Sequence, residues 1–183
     1  MHRPPQSFCN NISMTMPNPD FDAEALYAVL ADRVKTGLAG AEKVAVVGIH
    51  SGGAWLAERL ANELQLGDRL GFIDVSFYRD DYAEKGLPAE VKPTQIPFEV
   101  EGATIVLVDD VLYTGRTTRA AINELFDYGR PARIMLAALV DRGGRELPIA
   151  ADFVADSVTI PNDQHLVLKR ADDGRFSLTV DHA

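Results

Sequence analysis

Two adjacent carboxylates, Asp109 and Asp110, close a short apolar run and are followed within a few residues by a turn rich in threonine. The segment reads Ile105-Val106-Leu107-Val108-Asp109-Asp110-Val111-Leu112-Tyr113-Thr114-Gly115-Arg116-Thr117. Its β-branched start predicts a strand buried on both faces, and open α/β sheets gather ligands beyond the carboxyl ends of such strands. After the carboxylates the chain turns through Tyr113-Thr114-Gly115-Arg116 and enters a helix at Thr117-Thr118. Successive backbone N–H groups and three threonine hydroxyls then surround a helix N-terminus, which makes an anion cup. Gly115 lets the backbone approach a phosphate closely and takes positive φ at little cost. Carboxylates beside a phosphate cup suit a ligand with a phosphate at one end and hydroxyls at the other. A phosphorylated ribose has both, its 2′ and 3′ hydroxyls donating to Asp109 and Asp110 while the loop holds the 5′-phosphate.

The elements that must position these groups alternate along the chain. Leu26, Val29, Leu30 and Val34 recur at helical spacing and stop near Gly37 and Gly40. The run from Lys43 to Ile49 predicts a buried strand, followed by His50-Ser51-Gly52-Gly53 and a helix whose apolar face is Trp55, Leu56, Leu60 and Leu64. That stripe, Trp55 included, is assigned to the core. Further strands are expected over 70–78, 104–108 and 133–140, with a helix over 117–127 that ends at Gly129. The class is therefore α/β: a mainly parallel twisted sheet with helices on both faces. Runs at 165–169 and 175–180 around Asp172-Asp173-Gly174 predict a C-terminal β-hairpin. Residues 1–19, with four prolines among polar side chains, form an expected flexible leader, and 20–183 a single domain.

Three further segments could contribute chemistry. The His50-Ser51-Gly52-Gly53 loop lies between a strand and a helix and offers free N–H groups at the same sheet edge; the plainer alternative is a glycine turn. Tyr78-Arg79-Asp80-Asp81 opens a polar, proline-containing stretch that reaches Pro97, long enough to act as a lid or to be a solvated loop. Val140-Asp141-Arg142 ends the fourth strand at the edge that carries Asp109.

The stretch VDDVLYTGRT resembles the 5-phosphoribosyl diphosphate motif of type I phosphoribosyltransferases. With VAVVGIHSGGAWLAERLA, DVSFYRDDY and GRPARIMLAALVDRGGRELPIAADFVADSV, the chain resembles the PyrR family of pyrimidine operon regulators and uracil phosphoribosyltransferases over all but its leader. The resemblance implies the type I phosphoribosyltransferase fold, with the C-terminal hairpin as a hood. It also implies 5-phosphoribosyl diphosphate (PRPP), uracil and UMP as ligands, and Mg2+ carried mainly by the diphosphate. It makes Ile105 to Thr117 the PRPP site, His50 to Gly53 the pyrophosphate loop and Val140, Asp141 and Arg142 the base pocket. Asp109, Asp110 and Arg79 become the catalytic side chains, Arg79 meeting the departing diphosphate from a flexible loop. The pyrophosphate loop lacks the basic pair of better-known members, so its grip rests on backbone amides, Ser51 and His50.

The resemblance implies a second role, binding the leader of a pyrimidine-operon (pyr) mRNA to control attenuation. Where family members that attenuate carry basic or polar residues, this chain has Tyr27, Ala31, Gly144, Ala150 and Asp156, with Arg145 remaining. A formal charge of -9, from 27 acidic and 18 basic residues, also opposes broad gripping of a phosphate backbone. A nucleotide sensor with weak turnover, or a transferase for a purine or orotate, are alternative readings. No apolar run is long enough to cross a bilayer, and no signal-peptide core is seen near the N-terminus, so a cytoplasmic protein is expected. Cys9, the single cysteine, has no intramolecular disulfide partner. A homodimer or larger homo-oligomer is the family expectation.

Overall fold

Strands β1 (Val44–Ile49) and β3 (Thr104–Leu112) are apolar on both faces and lie side by side in parallel, Val46 opposite Val106 and Gly48 opposite Val108. They form the centre of a computed structural model that describes residues 21–75 and 93–182. Among those residues the main sheet has five parallel strands in the order β2-β1-β3-β4-β5, with β2 Leu70–Ile73, β4 Arg133–Asp141 and β5 Phe153–Ser157. From β1 the chain steps outward to β2, then returns to the other side of β1 for β3. The direction of winding therefore reverses between β1 and β3. At such a switch point the loops leaving the two strands diverge to opposite faces and open a crevice for a ligand.

Helices cover both faces. Successive residues of the central strands alternate between two cores: Val46, Val106, Val108 and Leu139 face α1 (Ala23–Gly37) and α2 (Gly52–Glu63), whereas Val47, Ile105, Leu107 and Ala138 face α3 (Arg116–Asp127). The hairpin β6 (Gln164–Arg170) and β7 (Phe176–His182) is antiparallel, Leu166 opposite Val180. Leu166, Leu168, Phe176, Leu178 and Val180 press its apolar face into the core shared with α1 and α2.

Several boundaries differ from expectation. On α1 the buried stripe is Ala23, Tyr27, Leu30, Ala31 and Val34, and Val29 is 41 % exposed, because the helix packs through small residues at 23 and 31 that hydrophobicity alone does not pick out. β3 continues through both carboxylates to Leu112, since β4 also extends and gives Val111 and Leu112 backbone partners at Val140 and Asp141. β5, not expected from its short acid-flanked sequence, is held by parallel pairing to β4 and covered by α1, where the Phe153 ring fills the space a Cβ on Gly37 would need. The leader over 1–19 and the lid segment from Arg79 to residue 92 lie outside the described residues. No helix among the described residues is long and apolar enough to cross a membrane.

Candidate active site

The loops that follow β1 and β3 meet over a cavity of about 490 Å³, of the size that holds a small ligand. Asp109, Asp110, Val111, Tyr113, Thr114 and Thr117 of the expected sugar-phosphate segment line it, as do His50, Ser51 and Gly52. Ile105, Val106, Leu107 and Val108 are completely buried and Leu112 nearly so; their side chains belong to the core and act by fixing where the strand ends. Gly115 has φ +92 and caps α3, and a Cβ there would press on Ile149 at 3.1 Å. Arg116 points outward and is tied to Glu146 at 2.5 Å. Thr118 does not join the cup: it is 1 % exposed, and its hydroxyl is buried without a hydrogen-bond partner.

Two helices start at this cavity. Ser51 precedes α2 and Gly115 precedes α3; neither side chain caps the helix, and neither first turn contains an acidic residue. The Arg116 N–H at the α3 start is held by the Thr114 hydroxyl at 3.2 Å, and the positive dipole ends of the two helices converge on one space. The carboxylates lie beside the α2 start, where a Cβ on Gly52 would sit 2.2 Å from Oδ2 of Asp110. Asp109 is 6 % exposed and accepts from the Asp110 N–H at 3.0 Å, and Asp110 accepts from the Val111 N–H at 3.1 Å. His50 leads the loop, its N–H on the Ile73 carbonyl at 2.9 Å and its ring stacked on Phe72 with centroids 5.5 Å apart. The His50–Ser51 peptide is cis.

Of the three residues at the end of β4, only Arg142 reaches the cavity. Val140 is fully buried in the core. Asp141 turns away to Arg145, 2.5 Å distant, and accepts from the Gly143 N–H at 2.9 Å. Burial pushes its carboxyl up, but the Arg145 guanidinium and the Gly143 N–H outweigh that and hold it below the usual aspartate range. Arg142 is 6 % exposed, with its guanidinium 3.9 Å over the Tyr113 ring. Arg79 lies outside the described residues.

Some of the lining was not foreseen. Trp55, assigned from sequence to the core, packs against it but is only half-buried, and it also forms cavity wall with Ser51 and Gly52. Glu146, Asn162, His165, Leu166, Val167 and Leu168 close the far side, so β6 roofs the site as well as completing the core. In sequence β6 carries only the alternation of a half-buried strand, and nothing in that alternation says what its outer face covers.

Comparison with known proteins agrees with this geometry. Residues 23–167 match the model of the phosphoribosyl transferase domain. Bifunctional protein PyrR of Ralstonia nicotianae is 53% identical over 169 residues, covering 90% of this chain and 97% of that protein. The chain belongs to the PyrR family. Bifunctional protein PyrR of Nitrosococcus oceani is 47% identical over 170 residues, covering 90% and 96% of the two chains. Among solved structures, a hypoxanthine-guanine phosphoribosyltransferase of Bacillus anthracis superposes with a TM-score of 0.61 at 18% identity, covering 91% of this chain and all of that one. The hypoxanthine phosphoribosyltransferase of Trypanosoma cruzi gives 0.60 at 20% identity, with 87% and 93% covered. At that distance the likeness is one of fold, and the type I phosphoribosyltransferase fold expected for a PyrR-family chain is the fold observed.

Proposed function

We propose that this chain transfers the phosphoribosyl group of PRPP to uracil, giving UMP and diphosphate. The observation that carries the reading is the switch-point cavity, which gathers Asp109 and Asp110, the starts of α2 and α3, and the hydroxyl-bearing Ser51, Thr114 and Thr117 around one space. In this reading the α3 start and the hydroxyls of Thr114 and Thr117 hold the 5′-phosphate, and Asp109 and Asp110 accept from the ribose hydroxyls. The α2 start, with Ser51 and His50, receives the diphosphate. The base lies between Arg142 and the β6 roof.

The bond from ribose C1 to diphosphate breaks, its electron pair leaving on the diphosphate, while uracil N1 bonds to C1 from the opposite face and gives up its proton to the departing diphosphate or to water. No nucleophilic side chain is required; the protein supplies positioning and preorganised N–H donors. Mg2+ bound to the diphosphate neutralises charge on the leaving group. Asp109 and Asp110 are hard oxygen donors of the type this ion accepts. Among the described residues no group of three His, Cys, Asp or Glu could hold a metal ion, so Asp109 and Asp110 would hold it together with the bound substrate. Arg79 would meet the departing diphosphate from the lid. Residues 20–183 act as one domain behind the leader, in the cytoplasm, in a homodimer or larger homo-oligomer.

The relatives' name marks two roles, and the observations favour the transferase. Tyr27 and Ala31, at places where attenuating members carry basic or polar residues, are 5 % and 4 % exposed, and Arg145 is engaged within the protein. Filter binding against a pyrimidine-operon leader with UMP present is expected to give weak, non-saturating retention; tight saturable binding would restore the regulatory role. Chromatographic detection of UMP from uracil, PRPP and Mg2+ tests the transferase; no UMP contradicts it.

A further inference from the structure

We propose that Arg145 is a positioning residue of the transferase, an internal brace that fixes the sugar-phosphate loop relative to the turn after β4. The proposal rests on the transferase reading for its purpose and on geometry for its existence. Arg145 is three-quarters buried, and its guanidinium joins the Tyr113 segment to its own turn, at Asp141 and Ile149. Nη1 donates to the carbonyl of Tyr113, between the carboxylates and the phosphate cup. Nε donates to the carbonyl of Ile149 at 3.0 Å, and Nη2 to Asp141 at 2.5 Å. Next in sequence, the N–H groups of Glu146 and Leu147 both donate to the carbonyl of Thr114, at 3.0 and 3.1 Å. The loop expected to hold phosphate is thus hung from the segment that follows the base-side turn.

The same segment fixes Tyr113 by its ring. Gly144 has φ +69, and a Cβ there would lie 2.3 Å from the ring, so this glycine is a requirement of close approach. On that ring sits the Arg142 guanidinium, at 3.9 Å. One residue of the sugar-phosphate loop is therefore gripped at its carbonyl by Arg145 and at its ring by Gly144 and Arg142. A planar fork spreads its N–H donors over three nitrogens and so reaches all three acceptors; an ammonium group carries its three donors on one atom and lacks that spread. Losing the fork leaves two carbonyls and a carboxylate short of a donor and lets the loop move relative to Arg142. Base and ribose must meet at bonding distance, and misplacement by about 1 Å costs about 100-fold in rate.

The test compares wild type with Arg145→Ala and Arg145→Lys, and with Arg133→Ala, an exposed arginine at the opposite end of β4. Steady-state kinetics give kcat and both KM values, calorimetry gives affinities for UMP and for ribose 5-phosphate, and thermal melting gives the folded fraction. Both Arg145 variants are expected to lose about tenfold or more in kcat/KM for PRPP, without rescue by lysine. UMP affinity should fall further than ribose 5-phosphate affinity, because UMP spans both halves of the braced site. Arg133→Ala should match wild type. A lowered melting point with unchanged kinetics and unchanged affinities, or full rescue by lysine, overturns the brace. If wild type turns over no base, the transferase reading fails while the two affinities still decide whether the brace exists.

Discussion

The carboxylate of Asp110 occupies the space that a side chain at residue 52 would need: a Cβ on Gly52 would lie 2.2 Å from Oδ2 of Asp110. The start of α2 is thereby pressed against the end of β3. The neighbouring glycine has the same property, since a Cβ on Gly53 would meet the carbonyl oxygen of Val108 at 2.3 Å. Gly52→Ala is predicted to push the pyrophosphate loop off the carboxylates and lower kcat/KM for PRPP by about 100-fold. Diphosphate-release kinetics on the folded variant check this; kinetics near wild type would mean the contact is incidental.

Asp109→Asn and Asp110→Asn keep size and shape and remove the charge. The double variant is predicted to keep the wild-type circular dichroism spectrum while kcat falls by about 100-fold or more, the scale seen when preorganised polar contacts to a reacting group are lost. Retention of more than about a tenth of the turnover would remove the two carboxylates from the catalytic account.

Arg59 is the corresponding clamp for stability, remote from the chemistry. It bonds Glu24 at 2.6 and 3.2 Å and the Gly174 carbonyl at 2.5 Å, and its guanidinium lies 3.8 Å over Phe176 and 4.8 Å over Tyr27. One side chain so joins α1, α2 and the hairpin. Arg59→Ala is predicted to cost about 2 kcal/mol in urea unfolding, from a charge-assisted hydrogen bond and two cation–π contacts, with both KM values unchanged.

The same cluster contributes to both the acid and the alkaline dependence of stability. The Arg59 guanidinium, with the Phe176 N–H, holds the Glu24 carboxyl below the ordinary glutamate value of 4.5 against the opposing effect of burial. Burial pushes Glu63 up, but Lys35 and the Tyr27 hydroxyl bring it below the same value. Carboxyls depressed by folding contribute stability above the unfolded value, and that contribution is lost as pH falls through the lower folded one. Burial, then the bond to Glu63, raises the Tyr27 phenol above 10.0, so its contribution is complete below that value and lost as pH rises past it. Unfolding free energy should be flat between about pH 6 and 9 and fall on both sides. Glu24→Gln should flatten the acid limb, and an unchanged acid limb would show that the acid loss arises elsewhere.

Much of the architecture was legible because each central strand is short, apolar and bounded by polar turns. The carboxylates at 109 and 110 and the loop at 50–53 could be placed at one edge by alternation of elements alone, and the cavity joins them. What could not be read was set by long-range pairing. β3 extends through Asp110 only because β4 extends beside it, and β5 exists only because β4 offers an open edge and α1 a cover. Trp55 packs against the core as read, but its second role as cavity wall was not legible, because helical spacing reports which residues share a face and not what else that face meets. The turn after β4 was placed at the site, yet which side chains point inward depends on Arg145 drawing Asp141 away, a contact the sequence order does not reveal.

Diphosphate release from PRPP and Mg2+ with a panel of bases tests the central claim most directly. The account predicts release that depends on uracil, exceeds that with hypoxanthine, guanine, adenine or orotate by at least about tenfold, and yields UMP. Release driven best by another base, or none with any base, would contradict it.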